Sequence, residues 1–369
     1  MPSNSALFPR NFRKSYPVAV RGEGCWITDQ AGRRFLDASG QAAVVSIGHG
    51  VPEIGRAMAE QSSQLAFAHT TQFHSAPAEK LAQRLLALAP SNFRNGGRVY
   101  FTSGGSEATE TAIKLARQFH LESGQPARFR VVSRCQSYHG STLGAMTVSG
   151  NVARRAPYQP LLAEWGHIAP CFCNHCPFDK KFPECGIACA DDLCHFLETN
   201  DSLTVAAFIF EPVVGATLGA AVPPDGYVQR IAEICRSRGI LLIADEIMSG
   251  MGRTGKPFAI QHWNVEPDII LVGKGIASGY ARSVASSSPR TLSKVSNAAP
   301  ALSSTASPIK HIPSLPPPAT PSSITSNRTI SSIACSPPQK FFAPNYPCCN
   351  LIHMWATFVD WACSSASNS

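Results

Sequence analysis

Five short runs, each apolar on both faces, recur between residues 98 and 280: Val99–Thr102, Phe129–Ser133, Val205–Phe210, Ile240–Ala244 and Ile269–Val272. A strand with one solvated face alternates apolar and polar residues. Strands apolar on both faces need cover on both, as in a mostly parallel sheet held between helices. The intervening stretches supply those helices. Glu107–His120 places Ala108, Ala112, Leu115, Ala116 and Phe119 at three- and four-residue spacing, and Tyr227–Arg238 does the same with Ile231, Ile234 and Cys235, so each carries one apolar stripe. The alternation predicts a doubly wound α/β domain whose ligands gather at the C-terminal ends of its strands. Ahead of it, Val18–Gly50 is rich in turns around Gly22, Gly24 and Gly32, which predicts a small sheet belonging to a second, flanking domain.

Composition enters where the alternation stops. Residues 1–280 hold all 27 glycines, 26 basic and 23 acidic residues, whereas residues 281–369 hold no Gly, a single acid (Asp360), 20 Ser and 12 Pro. The net charge of +8 is therefore mostly a property of the tail, and no Lys/Arg cluster marks a nucleic-acid or membrane footprint. No apolar run approaches the roughly 20 residues of a membrane helix. Arg10, Arg13 and Lys14 are followed by no apolar stretch of the kind a secretory signal needs. A cytoplasmic, reducing location is the expectation, and the 13 cysteines do not read as the disulfide framework of a short secreted chain.

Three segments carry chemistry. In Tyr100-Phe-Thr-Ser-Gly-Gly-Ser-Glu107 a strand ends, two glycines turn the backbone and a helix begins; free N–H groups and the positive dipole end make an anion site, with Ser106 adding a hydroxyl. The bland alternative is that Ser106 and Glu110 merely cap the helix. In Ile240-Leu-Leu-Ile-Ala-Asp-Glu246 an apolar strand delivers two adjacent carboxylates, which must point to opposite faces. The inward one needs a partner, and a salt bridge to Arg253 is the plain possibility. In Pro267-Asp-Ile-Ile-Leu-Val-Gly-Lys-Gly275 a lysine stands at the end of a buried strand between two glycines. Burial lowers its pKa and suits it to Schiff-base chemistry; the alternative is a lysine reaching out to solvent. A phosphate cup, a buried Asp and a buried Lys at strand ends of one sheet are the parts needed to hold pyridoxal phosphate.

The stretch from about Gly22 to Tyr280 resembles the class III aminotransferases, the fold type I, pyridoxal-phosphate-dependent omega-aminotransferase family. The similarity lies in SGGSEATETAIKLAR, YHG, FEPVVG, ADEIMSGMGRTG and PDIILVGKG, with Asp245 and Lys274 separated by 29 positions. It implies a mostly parallel sheet flanked by helices with a small α+β domain, residues 1–60 contributing to the small domain and 61–280 forming the large cofactor-binding domain. It further implies that Gly105 and Ser106 hold the cofactor phosphate, that Tyr138 stacks on the pyridine ring with His139 beside it, and that Gly140 permits close approach. By the same resemblance Glu211 lies near the substrate side, Asp245 binds the pyridinium nitrogen, Ile247 packs on the other ring face, and Lys274 forms the Schiff base and moves the proton. Asp245 and Lys274 are the implied catalytic pair. Met248 stands where many relatives have Gln, and Val213-Val-Gly-Ala-Thr-Leu-Gly219 lacks a second Glu, so a distal carboxylate on the substrate is not specially indicated.

Two features fall outside that resemblance. Cys173, Cys176, Cys185 and Cys189 show the spacing C-x2-C-x8-C-x3-C, with Cys171, His175 and Cys194 nearby. Four thiolates so spaced can bind zinc, although Pro177, Pro183 and Gly186 describe a connecting loop, and reduced, packed cysteines are the preferred reading. The other feature is the tail. After Gly279-Tyr280-Ala281 the similarity stops, and a Ser/Pro-rich stretch of this kind reads as disordered.

An out-of-frame origin explains more. Read with a one-base offset, a TCN serine codon yields Leu, Ile, Val or Phe, and third bases are free to permit PLGGVLVAPHVVEGLE from the Ala281/Arg282 boundary. The codons of Ser304–Pro313 permit HGFTYQAHP and those of Ile352–Ser364 permit DPHVGDVRGLGLL, all at home in this family. On this basis residues 281–369 are expected to add nothing to the sheet, to leave an apolar edge exposed, and to make both the family's homodimer and activity doubtful for this chain.

The expected function is transfer of an amino group from an amine or amino acid to a 2-oxo acid through a Schiff base on Lys274. A mutase, racemase or decarboxylase of the same family would use the same Lys and Asp. A non-catalytic remnant binding zinc through the Cys loop is the alternative from another class.

Overall fold

The computed structural model describes residues 6–8, 11–281 and 284–288. A small antiparallel sheet comes first, built from β1 (Ala19–Glu23), β2 (Trp26–Asp29) and β3 (Arg34–Leu36). The remaining strands are β4 (Arg98–Thr102), β5 (Arg130–Arg134), β6 (His167–Ile168), β7 (Val205–Phe210), β8 (Leu241–Glu246), β9 (Ile269–Val272) and β10 (Val284–Ser288). They form one seven-stranded sheet in the order β4-β10-β9-β8-β7-β5-β6. Pairings from β9 through β6 are parallel, and β10 runs antiparallel to both β4 and β9.

The double apolarity of the strands has a direct cause. Successive strand residues face opposite sides, and they divide between two cores. Val132, Phe208, Phe210, Leu242, Ala244, Ile270 and Val272 join Leu193, Leu197, Val228 and Ile231 on one side, under the helices Ala188–Thr199 and Tyr227–Ser237. Val131, Ala207, Ile209, Leu241, Ile243, Ile269 and Leu271 join Ala108, Ala112 and Ala116 on the other, under the helix Gly105–Glu122. The alanine stripe lets that helix lie close to the sheet, so its N-terminus ends beside the strand tips.

Strand limits differ from the sequence expectation where pairing decides them. β8 runs on through Asp245 and Glu246 because these residues pair with Leu271 and Val272 of β9. β5 starts one residue later than expected, at Arg130, which pairs with Val205.

The expectation that nothing after residue 280 enters the sheet is overturned. β10 lies between β4 and β9, pairing Ala285 with Phe101 and Val272, and Ser286 with Tyr100 and Leu271. The β9 side is therefore covered rather than exposed. Ser286, Ser287 and Ser288 are nevertheless all buried; Ser286 Oγ donates to Ala108 O at 3.3 Å and Ser287 Oγ to Ile270 O at 3.5 Å. Three consecutive serines are a poor filling for a strand enclosed on both faces. The segments matched to HGFTYQAHP and DPHVGDVRGLGLL lie outside the described residues.

The segment after the small sheet is bound to the chain that follows Lys274. Ser278 Oγ accepts from Ser46 N and Ile47 N, at 2.7 and 3.1 Å. Tyr280 Oη donates to Gly48 O at 2.9 Å and accepts from Val51 N at 2.8 Å. Arg253 joins the same seam, donating to Ala43 O at 3.0 Å and Ser46 Oγ at 3.1 Å. It is not the partner of Asp245 or Glu246 that the sequence suggested, because those carboxylates find nearer donors within the sheet's own surroundings.

Candidate active site

The three segments singled out in the sequence meet at the C-terminal ends of the strands. A cavity of about 210 Å³ is lined by Gly105, Ser106, Tyr138, His139, Gly140, Glu211, Ala216, Asp245, Ile247, Met248 and Lys274. Every residue expected there from the sequence is in the lining; Ala216 joins them from the loop after β7.

One end of the cavity is formed by the start of the Gly105–Glu122 helix. The first turn of the Gly105–Glu122 helix has N–H groups with no intrahelical acceptor. Ser106 does not cap its own helix. Its Oγ accepts from Ser141 N at 2.9 Å, tying the helix start to the YHG turn. Glu110 does not cap it either: its Oε1 accepts from Gly144 N and Ala145 N, at 2.9 and 3.2 Å, fixing the short helix that follows that turn. Glu107, through Ser103 N at 2.8 Å, holds the entry to the long helix instead. Gly140 is required here. Its φ is +142°, and a Cβ would stand 2.6 Å from Ser106 Oγ and 2.8 Å from Ala145 Cβ.

The far wall is charged and enclosed. Asp245, 3% exposed, points toward the cavity, where its Oδ2 takes a 2.7 Å hydrogen bond from His139 Nδ1 and its Oδ1 accepts from Ile247 N at 3.1 Å. His139 is held in turn: its N donates to Ser149 Oγ at 2.8 Å and its O accepts from Thr109 Oγ1 at 2.7 Å, while its Nε2 is buried without a partner. Glu246 faces the opposite side of β8, as strand geometry demands. Fully buried, it accepts from Ser249 Oγ at 2.6 Å and Ile260 N at 2.7 Å, and burial pushes its pKa up to about 7.

Glu211 has both carboxylate oxygens engaged by backbone, Oε1 by Tyr138 N at 3.0 Å and Oε2 by Gly215 N at 3.1 Å. Burial, with Asp245 close by, raises its pKa. It clamps the loops carrying Tyr138 and Ala216. The Tyr138 ring is half-buried, with the Arg154 guanidinium 4.6 Å over it. Behind this wall Arg134, fully buried, donates to Glu211 O and to Cys171 Sγ.

Lys274 follows β9 with a left-handed φ of +47° between two glycines. A non-glycine residue in that region is costly. Desolvation lowers the Lys274 pKa, against the pull of Asp245 and Glu211. Gly275 is needed beside it, since a Cβ there would stand 3.1 Å from Met251 Cβ and 3.2 Å from Ser46 Oγ.

Sequence reasoning missed Thr109, Ser141, Ser149, Arg134 and Arg154. They act through contacts between segments far apart in the chain, for which no local pattern gives a signal. Among the described residues no group of three or more His, Cys, Asp or Glu is already arranged to hold a metal ion, and no helix is long and apolar enough to cross a membrane.

Over residues 8–304 the chain matches the profile of a family described as aminotransferase class III. It is 40% identical over 263 residues to the uncharacterized aminotransferase YhxA of Bacillus subtilis (strain 168), covering 71% of this chain and 56% of that one. Its fold is similar to that of a thermostable (S)-enantioselective omega-transaminase from Thermomicrobium roseum, with a TM-score of 0.74, 36% identity, and coverage of 83% of this chain and 68% of that one. It is similar also to a PLP-bound amine transaminase from an uncultivated Pseudomonas species, with a TM-score of 0.74, 35% identity and coverage of 84% and 69%. The chain spans 56% and 62% of the lengths of the two Bacillus subtilis relatives YhxA and YodT.

Proposed function

The chain belongs to the class III aminotransferases, a pyridoxal-phosphate-dependent family of fold type I, and from that premise we propose that it moves an amino group from an amine or amino acid to a 2-oxo acid. The observation that carries this is the convergence of Ser106, Asp245 and Lys274, from three different strand ends, on one cavity.

The residues present fit the cofactor. The cavity has a helix N-terminus with a hydroxyl for a phosphate, a glycine where a Cβ would collide with that hydroxyl, a buried carboxylate held by one imidazole, and a half-buried amine. In our reading Gly105 and Ser106 would hold the phosphate, and Tyr138 and Ile247 would flank the ring. Asp245, kept oriented by His139, would hold a proton on the ring nitrogen. When bound, pyridoxal phosphate supplies an electron sink for the bond broken at the substrate carbon. Lys274 would be the residue that holds the cofactor covalently and would serve as acid and base at the substrate carbon; its lowered pKa favours the neutral amine this needs. Glu211 positions the Tyr138 and Gly215 loops.

Borohydride treatment of holoprotein is expected to fix the cofactor to the peptide containing Lys274, and labelled nitrogen from an amino donor is expected in the amino acid formed from pyruvate. Cofactor bound elsewhere, or release of ammonia or carbon dioxide in place of transfer, would reject the proposal.

Three further parts of the reading are ours. The protein acts as a homodimer, supported by the helix Pro52–Gln64, which buries none of its residues within this chain; sedimentation reporting only monomer at micromolar concentration would count against it. It works in the reducing cytoplasm, supported by the nine free cysteines among the described residues. Residues after 281 are read out of frame. The offset frame places Val, Leu and Val at the positions of Ser286, Ser287 and Ser288, which are buried and suit aliphatic side chains. Resequencing the gene around codon 281 tests this, and an uninterrupted frame would remove it.

A further inference from the structure

Three side chains near the start of the Gly105–Glu122 helix reach across to the segment 139–145 and bracket Gly140. Ser106 Oγ accepts from Ser141 N at 2.9 Å, Thr109 Oγ1 donates to His139 O at 2.7 Å, and Glu110 Oε1 accepts from Gly144 N and Ala145 N at 2.9 and 3.2 Å. Positions 106, 109 and 110 share one helix face because they lie three and four apart. Gly144 and Ala145 belong to the first turn of the short helix Leu143–Thr147, whose free N–H groups a local N-cap side chain ordinarily accepts. Thr142 stands at that N-cap and makes no such bond; its Oγ1 is buried without a partner. Glu110, 34 and 35 positions away in the chain, does the capping instead. A tertiary bond thus stands where a local one was available.

We propose that Glu110 is a positioning residue for the cofactor phosphate: by holding the 139–145 turn, it sets the direction in which the Ser106 hydroxyl donates. The proposal rests on the reading that Ser106 binds the phosphate. The physical chain is short. A serine hydroxyl has one proton to donate and two lone pairs to offer. Ser141 N–H occupies a lone pair of Ser106 Oγ, which leaves the O–H to donate into the cavity that Ser106 lines. The place of Ser141 N is in turn fixed from both sides of Gly140, by Thr109 at His139 O and by Glu110 at Gly144 N and Ala145 N. Without Glu110 the clamp remains only on the His139 side, and Ser141 N is free to drift from Ser106. The fit is close, since a Cβ on Gly144 would stand 2.5 Å from Glu110 Oε2 and 2.7 Å from its Oε1. Both amide bonds go to the one oxygen Oε1, so an uncharged amide oxygen in the same place can accept the same pair.

The full chain, reconstituted with pyridoxal phosphate, tests this in a double-mutant cycle. Glu110→Ala and Ser106→Ala should each raise the cofactor dissociation constant on the order of tenfold, the size of one hydrogen bond to a charged group. Combined, they should cost little more than Ser106→Ala alone, because Glu110 acts through Ser106. The phosphorus NMR resonance of bound cofactor should move in Glu110→Ala. Glu110→Gln, which keeps the accepting oxygen, should return both resonance and affinity to the parental values. Should Glu110→Ala fail to fold, Gly144→Ala, whose Cβ presses on the same carboxylate, takes its place in the cycle. Independent losses that multiply in the double variant, an unmoved phosphorus resonance, or a Glu110→Gln variant as weak as Glu110→Ala would each overturn the proposal. Borohydride fixation of cofactor to Lys274 in the parent would leave the functional reading standing in those cases, whereas a parent that binds no cofactor there overturns both.

Discussion

His139 Nδ1 lies 2.7 Å from Asp245 Oδ2, two buried side chains 106 positions apart in the chain. Asp245 has no other side-chain partner among the hydrogen bonds described, so its orientation depends on that imidazole. Removing one partner of a buried, charge-assisted bond costs about 1–3 kcal/mol. His139→Ala should therefore weaken cofactor binding by roughly 5- to 150-fold, read by fluorescence titration of the apoprotein with pyridoxal phosphate. An unchanged dissociation constant would mean that Asp245 is held by something else.

Gly140→Ala forces a Cβ to within 2.6 Å of Ser106 Oγ at a φ of +142°. Strain of this kind costs about 1–3 kcal/mol, and it falls on the hydroxyl assigned to the phosphate. Lower thermal stability together with faster cofactor loss on dialysis is expected. Wild-type retention of cofactor would argue against a phosphate at this end.

Glu246 gives the stability a pH dependence with a definite sign. Its folded pKa, raised by burial to about 7, exceeds the unfolded value, so the native state holds a proton that the unfolded state has released. Its contribution is full at acid pH and is lost as pH rises through about 7. Glu246→Gln keeps an acceptor for Ile260 N and a donor for Ser249 Oγ. Urea unfolding across this window should show a smaller fall in stability for the variant than for the parent.

Lys274 acts in the opposite direction. Its folded pKa is lowered by burial, so the unfolded state binds more protons below the ordinary lysine range, and apoprotein stability attributable to it rises with pH in that window. Lys274→Met should make the apoprotein more stable near neutrality while abolishing borohydride trapping and transfer. A variant less stable than the parent at neutral pH would place the amine in a better-solvated site than the structure gives it.

Ser286→Val, Ser287→Leu and Ser288→Val together restore the residues of the offset frame to β10. Burying aliphatic carbon in place of hydroxyl should add roughly 1–3 kcal/mol, by about 0.8 kcal/mol per methylene less the cost of fitting Leu. Denaturant midpoints decide it. A loss of that size would show the strand to be shaped for serine.

Much of this molecule can be read from local pattern. Strands apolar on both faces require two covers, which settles a helix-flanked, mostly parallel sheet, and the chemistry-bearing residues at three strand ends already place Ser106, Asp245 and Lys274 together, because strands of one parallel sheet end on one side. Adjacent carboxylates on β8 must part company, and Asp245 and Glu246 do. Partners are another matter. That Asp245 takes His139 rather than Arg253, that Ser106 and Glu110 reach across to the 141–145 turn rather than capping their own helix, and that β10 enters the sheet between β4 and β9 were decided by the tertiary structure alone. Each depends on which segments the chain brings into contact across many tens of residues, and a hydrogen bond satisfied at such range leaves no periodicity, spacing or composition along the sequence to announce it.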